Sequence, residues 1–118
     1  MLTNASCTIY HKTYNPQTRH DDWVPTQYPA CSWYGKRGVS TLASGLTAAS
    51  VYLVRIPTQE EIPVDTGDVV VHGLVEDIVT GPAPLFDKYE AFTAQAVRDN
   101  RRGSSWMQHW RIEGEGFL

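Results

Sequence analysis

The chain reads as a mainly β protein: a small antiparallel β-barrel or sandwich with one short helix and long loops. Three observations carry that reading. Prolines at 16, 25, 29, 57, 63, 82 and 84, with nine glycines, interrupt the chain too often for long helices. Several short runs alternate apolar and polar residues with a period of two, the pattern of a half-buried strand. There is no internal repeat and no strand–helix–strand rhythm of a parallel sheet. At 118 residues, 42% hydrophobic and 19% charged, the chain suits one domain with a real core and is a poor candidate for wholesale disorder.

The elements follow in order. SCTIYH (6–11) alternates, with Cys7 and Ile9 against Thr8 and Tyr10, and predicts a first strand. YNPQTRHDD (14–22) is a turn-rich connection. YPACSWYG (28–35) predicts a second strand, with Cys31 and Trp33 on one face and Tyr28, Ala30, Ser32 and Tyr34 on the other. KRGVSTLASGLTAAS (36–50) is small and polar and lacks a clean period. It is expected as a long loop, with a helical reading of 39–49 left open. SVYLVRI (50–56) is the clearest strand, ended by Pro57 and the residues after it. In VDTGDVVVHG (64–73) an Asp/Gly turn precedes Val69–Val71 and Gly73 closes the strand, while LVEDIVT (74–80) either continues it or forms its return partner. Pro84 suits a first helical turn, and Leu85, Phe86 and Tyr89 share a helical face, predicting a helix over 84–90. AFTAQAV (91–97) reads as a strand, RDNRRGSS as a hairpin loop, and WMQHWRIEG as the last strand. Alternation there sends Trp106, Gln108, Trp110 and Ile112 toward the core and Ser105, Met107, His109, Arg111 and Glu113 away from it.

Charge is segregated. Residues 1–56 carry five Lys/Arg against two Asp, residues 57–90 eight Asp/Glu against Lys88 alone, and residues 91–118 four Arg against three acids. These give +3, −7 and +1, which sum to the net −3 of the chain. That pattern is unlike the whole-domain basic footprint of a nucleic-acid binder and suits self-assembly, an acidic side of one copy meeting a basic side of the next. The candidate assembly or channel contacts are Lys36, Arg37, Arg98, Arg101, Arg102, Glu60, Glu61 and Asp65.

The motifs of catalysis are missing. Histidines 11, 20, 72 and 109 make no zinc-ligand spacing with one another or with Cys7 and Cys31. GKRG (35–38) lacks the spaced glycine and the Ser/Thr of a phosphate-cradling loop, and there is no G-x-S-x-G elbow. Neighbouring Glu60 and Glu61 would face opposite ways in a strand, which does not suit paired acid–base work. The expectation is a non-enzyme with no cofactor and no metal. The two cysteines are expected as buried thiols, since nothing points to an oxidising compartment. No apolar run approaches the ~20 residues of a membrane span, and the N-terminus does not read as a signal peptide, so synthesis in a cytoplasm is expected.

Taken together, CTIYHKTYNPQTR, CSWYGKRGVS, SVYLVRIP, TGDVVVHG and AFTAQAVRDNRRGSSWMQHWRIEG resemble, in that order and from about residue 4 to 114, the head-closure or head–tail connector proteins of tailed phages and prophages of Gram-positive bacteria. VRIP, GD-x-V-V-x-G and the closing DNRRG…HW-x-I-x-G carry the likeness jointly. The resemblance implies a compact β-barrel that forms a ring, of the twelvefold symmetry expected in the family, at the virion neck. A portal or adaptor ring would lie above it and a tail terminator or tail tube below, with double-stranded DNA passing through the lumen without sequence-specific binding. The loop at 36–50 would then be a docking or channel-facing element. A tail-terminator ring is the nearest alternative. An oligonucleotide-binding barrel is the alternative of a different class, for which aromatics and loop arginines are ingredients.

Overall fold

The computed structural model describes residues 3–42 and 45–117, with side chains described outside 36–50, 105 and 116–117. The strands are β1 (Ala5–Asn15), β2 (His20–Leu42), β3 (Gly45–Pro57), β4 (Val69–His72), β5 (Ala91–Asn100) and β6 (His109–Phe117). One helix, α1 (Ala83–Lys88), lies between β4 and β5, and a 3₁₀ turn (Ser105–Met107) precedes β6. Every pairing is antiparallel, and the order β1-β2-β3-β6-β5-β4 closes on itself as a barrel. Closure leaves no open edge where all six strands overlap.

β2 is the strand that shapes the molecule. Its residues 20–31 pair with β1 and residues 32–42 with β3. Laid straight, 23 residues would reach about 75 Å, yet the longest dimension of the protein is 47 Å, so β2 bends sharply. The bend coincides with an irregularity in which Ala5 pairs with Cys31 but Cys7 with Tyr28. The extra residue on β2 is a bulge, where a proline such as Pro29 is tolerated. It also reverses the alternation, so Tyr28 packs against the same core as Cys31 instead of facing away from it.

The barrel interior is filled by Cys7, Ile9, Cys31, Trp33, Tyr52, Val54, Ile56, Val70, Phe92, Ala94, Trp110 and Ile112, and Ile62, from the chain after β3, belongs to the same buried cluster. Tyr52 stacks on Phe92 at 4.9 Å, and Trp33 meets both rings edge-on at 5.6 Å. Gly114, inward-facing on β6, leaves room beside it for the Phe92 ring of this cluster. A second apolar cluster lies outside the barrel, where Tyr10, Val69, Val71 and Ala91 are covered by Val75, Leu85 and the partly buried Trp23, Val79 and Tyr89. β1 and β4 are therefore buried on both faces, which explains why Cys7, Thr8, Ile9 and Tyr10 are all inaccessible despite their alternating chemistry.

Four further expectations are corrected. The segment 36–50 is not a loop or a helix: Lys36–Leu42 and Gly45–Ser50 pair residue for residue, ending at Leu42↔Gly45. Small Ala, Ser, Thr and Gly residues hid the strand period because no large side chain marks a face. Ala43 and Ser44 lie outside the described residues. Residues 74–80 form neither a continued strand nor a return strand but an irregular cover over the second cluster, held by Val75 N–H donating to Thr8 Oγ1 at 2.9 Å and Tyr10 O–H donating to the Asp77 carbonyl at 2.7 Å. In α1 only Leu85 is buried, while Phe86 stays 40% exposed, because a helix of six residues lying on a barrel offers a narrow face. Trp106 sits in the 3₁₀ turn at 67% exposure, so the inward run on the last strand begins at Trp110.

Candidate assembly surfaces

The first surface is the ribbon made by β2 and β3. Among the described residues β6 accompanies β3 from Ala49 to Pro57, and Gly38–Leu42 and Gly45–Ala48 have no neighbouring described strand other than each other. Two-stranded ribbons are marginal in water on their own. This one is also uncharged from 38 to 50 and lacks proline, so none of the usual devices that blunt an open edge is present in its sequence. Lys36 and Arg37 stand at its base, opposite Val51 and Ser50. Their side chains lie outside the described residues.

Several of the sequence-derived candidates meet at one end of the barrel. The Arg101 guanidinium makes a two-pronged contact with Asp99, Nε and Nη2 each 2.8 Å from a carboxylate oxygen. It also donates to the Gln59 carbonyl at 3.3 Å and lies over the Trp110 ring at 5.1 Å. The hydrogen bond from Arg101 holds the Asp99 carboxyl below its ordinary range, and that same bond raises the Arg101 guanidinium. Trp110 Nε1–H donates to the Glu60 carbonyl at 3.0 Å. Arg101 is thus a clamp that fastens the β5–β6 hairpin to the chain after β3, not a free contact. Glu60 and Glu61 are exposed beside it, and Glu61 contributes a weaker charge interaction to Arg101. Arg102 stands exposed at the hairpin tip, next to Gly103, whose φ of 85° makes the turn.

Asp65 is placed elsewhere, in the turn before β4. Its side chain accepts from Thr66 N–H, while its own N–H donates at 2.7 Å to the Asp68 carboxylate. Asp68 is 1% exposed and also accepts from Lys12 N–H at 3.0 Å and from His11 Nδ1–H at 2.7 Å. A buried carboxylate needs such donors. Here they tie the β4 entrance to β1. The pairing fixes which nitrogen of His11 carries hydrogen, but no hydroxyl or thiol nucleophile accompanies it in a hydrogen bond among the described contacts. Among the described residues no cluster of three His, Cys, Asp or Glu could hold a metal.

Cys7 and Cys31 are free thiols within the core. The hydrogen bond with Cys31 and burial both push the Cys7 thiol upward, so it stays protonated.

Sequence reasoning missed a third feature. On the outer face, Arg55 of β3 pairs with Arg111 of β6, and Arg111 pairs with Arg98 of β5. Three arginines therefore stand side by side across three adjacent strands, with strand spacing of about 4.8 Å. Only Arg111 has an ion pair among the described residues, Nε donating to Glu113 at 2.6 Å. Like charges directly opposite one another destabilise a sheet. The residues come from three separate segments, Arg55 and Arg111 lying 56 positions apart, and the ladder register aligns them.

On the far side lies a groove of about 850 Å³ between the start of β2 and the irregular cover, lined by His20, Asp21, Asp22, Trp23, Ile78 and Pro82 among others. A smaller groove continues along β2 past Pro25, Gln27 and Glu76.

A family model described as a family of unknown function, DUF6751, matches residues 2–115. No curated protein and no solved structure matches the chain. The chain belongs to the DUF6751 family.

Proposed function

We propose that this member of the DUF6751 family is a non-enzymatic structural protein of the phage virion, a head-closure ring at the neck that retains DNA in the filled head and offers the tail its attachment surface. The observation that carries the reading is the bare ribbon of Gly38–Leu42 and Gly45–Ala48. An uncharged strand pair that leaves the barrel has unmatched backbone N–H and C=O groups along both edges. Such groups are matched when a strand of a neighbour is added, which gives affinity through main-chain hydrogen bonds. In the neck reading the ribbon reaches an adjacent ring or the next copy, and the barrel is the rigid body that carries it.

The charge segregation supports the same reading, since an acidic flank and a row of arginines on one small barrel suit contacts among proteins. It also weighs against the oligonucleotide-binding alternative, whose groove should be basic, because residues 57–90 carry eight Asp/Glu against one Lys.

The test is binding of the purified chain to DNA-filled, tailless heads, followed by imaging of the portal vertex. The expected result is an added ring of density with DNA retained. A variant in which residues 38–48 are replaced by a tight Asn-Gly turn should keep the barrel melting transition and lose head binding. Binding to free tail tubes and not to heads would move the protein to the tail terminus. Binding to neither would overturn the neck reading.

A further inference from the structure

We infer that the arginine row Arg55–Arg111–Arg98 is one half of a head-to-tail contact whose other half is the acidic groove along β2 on a second copy of this chain. The inference deepens the ring reading above and rests on it only for the number of copies, not for the contact itself.

The topology places the two patches on opposite sides. In the closed order β1-β2-β3-β6-β5-β4, β6 is three strands from β1 in either direction. The row is centred on β6. The groove is formed where the β1–β2 hairpin and the cover over β1 meet, with Asp21, Asp22 and Glu76 along it. Two different, complementary patches on opposite sides of one body make a heterologous contact, which generates a closed ring or a filament and cannot end in an isologous dimer.

Each half also has the composition of an interface. Beside the row, Tyr34 and Val51 are 58% and 51% exposed on the same outer surface, uncovered by any helix. In the groove, Ile78 is 97% exposed and Trp23 is partly buried. An aromatic or aliphatic centre with an arginine on one side and carboxylates on the other is the arrangement that gives both affinity and register. The row is otherwise hard to explain. Arg55 and Arg98 have no carboxylate within 4 Å among the described residues, and each stands one strand from another guanidinium. Acidic neighbours supplied by another copy remove that repulsion.

The experiment is sedimentation of the full chain over a concentration series at about 50 mM and about 500 mM salt, which shortens the screening length roughly threefold. Wild type should self-associate, at least tenfold more weakly at the higher salt. R55E/R98E and D21K/E76K should each keep the wild-type melting temperature and each lose association alone. An equimolar mixture of the two should regain it, because reversed row meets reversed groove. Wild type that stays monomeric at every concentration, variants that associate like wild type, or a mixture that regains nothing would each overturn the inference. So would a salt-dependent affinity for short duplex DNA that R55E/R98E abolishes in a chain that does not self-associate. Head binding separates this inference from the neck reading. If wild type binds heads while the mixture regains nothing, the contact fails and the neck reading stands. If the mixture co-assembles and no form binds heads, the reverse holds.

Discussion

Replacing Gly114 by alanine should destabilise the barrel by about 3 kcal/mol, the upper part of the ~1–3 kcal/mol range for overpacking. The residue faces inward on β6, in phase with Trp110 and Ile112, and its φ is not in the left-handed region, so backbone freedom is not the issue. The issue is space. A Cβ there would meet the Thr93 carbonyl oxygen and come within 2.5 Å of Phe92 Cδ2. The oxygen belongs to the neighbouring strand and has no rotamer to escape into. Phe92 is held by its stack on Tyr52 and its edge contact with Trp33, so it cannot swing aside without opening the core. Relief requires β5 and β6 to separate. With an unfolding entropy of roughly 2.1 cal/mol/K per residue, 118 residues give about 0.25 kcal/mol/K, or about 4 °C per kcal/mol. Gly114→Ala should therefore melt about 12 °C below wild type, measured by circular dichroism and by the urea midpoint. Gly81→Ala is the control, because its Cβ would meet nothing within 4 Å. A Gly114→Ala protein that melts within about 4 °C of wild type would refute the packing argument.

Three further outcomes are expected. Asp68→Ala leaves Lys12 N–H, Asp65 N–H and His11 Nδ1–H without their acceptor and should cost about 3–5 kcal/mol by urea unfolding, whereas the exposed Asp87→Ala should stay within ~0.5 kcal/mol. Tyr28→Phe removes a buried hydroxyl that has no hydrogen-bond partner among the described residues, so stability at neutral pH should be unchanged or up to ~1 kcal/mol higher. Burial, with a smaller contribution from Cys7, pushes the Tyr28 hydroxyl up to about 12 from an ordinary 10. A raised folded-state value means its contribution is fully present below pH 10 and is lost as pH rises toward 12. The wild type should lose stability across that window more steeply than Tyr28→Phe in thermal melts at stepped pH. Finally, Cys7 should resist an aromatic disulfide reagent in the native protein and react within minutes in urea, because only the thiolate attacks and the core keeps it a thiol. Rapid native labelling of Cys7, read by mass spectrometry, would contradict the buried assignment.

The β class, the strand at 50–56, the turn before Val69, the closing of that strand at Gly73 and the short helix near Pro84 were legible in the sequence, because each rests on local chemistry: a period of two, a turn residue, or a proline that suits a first helical turn. Burial of Cys7, Ile9, Cys31, Trp33, Trp110 and Ile112 was legible for the same reason. What depended on partners distant in the chain was not. The strand character of 36–50 comes from a ladder between two stretches of small residues, which carry no amphipathic signature to read. Tyr28 changed faces because one extra residue on β2 reversed the alternation, and Trp106 left the core because the hairpin closes through a 3₁₀ turn before β6 begins. Arg101, which looked like a surface contact, became a clamp once Trp110 and Gln59 came beside it. The row Arg55–Arg111–Arg98 exists only in the barrel, since three strands from three parts of the chain must pair in one register to assemble it. Local sequence decides which residues prefer to be extended and which face is apolar. Which side chains become neighbours is decided by strand order and register, properties of the closed sheet as a whole.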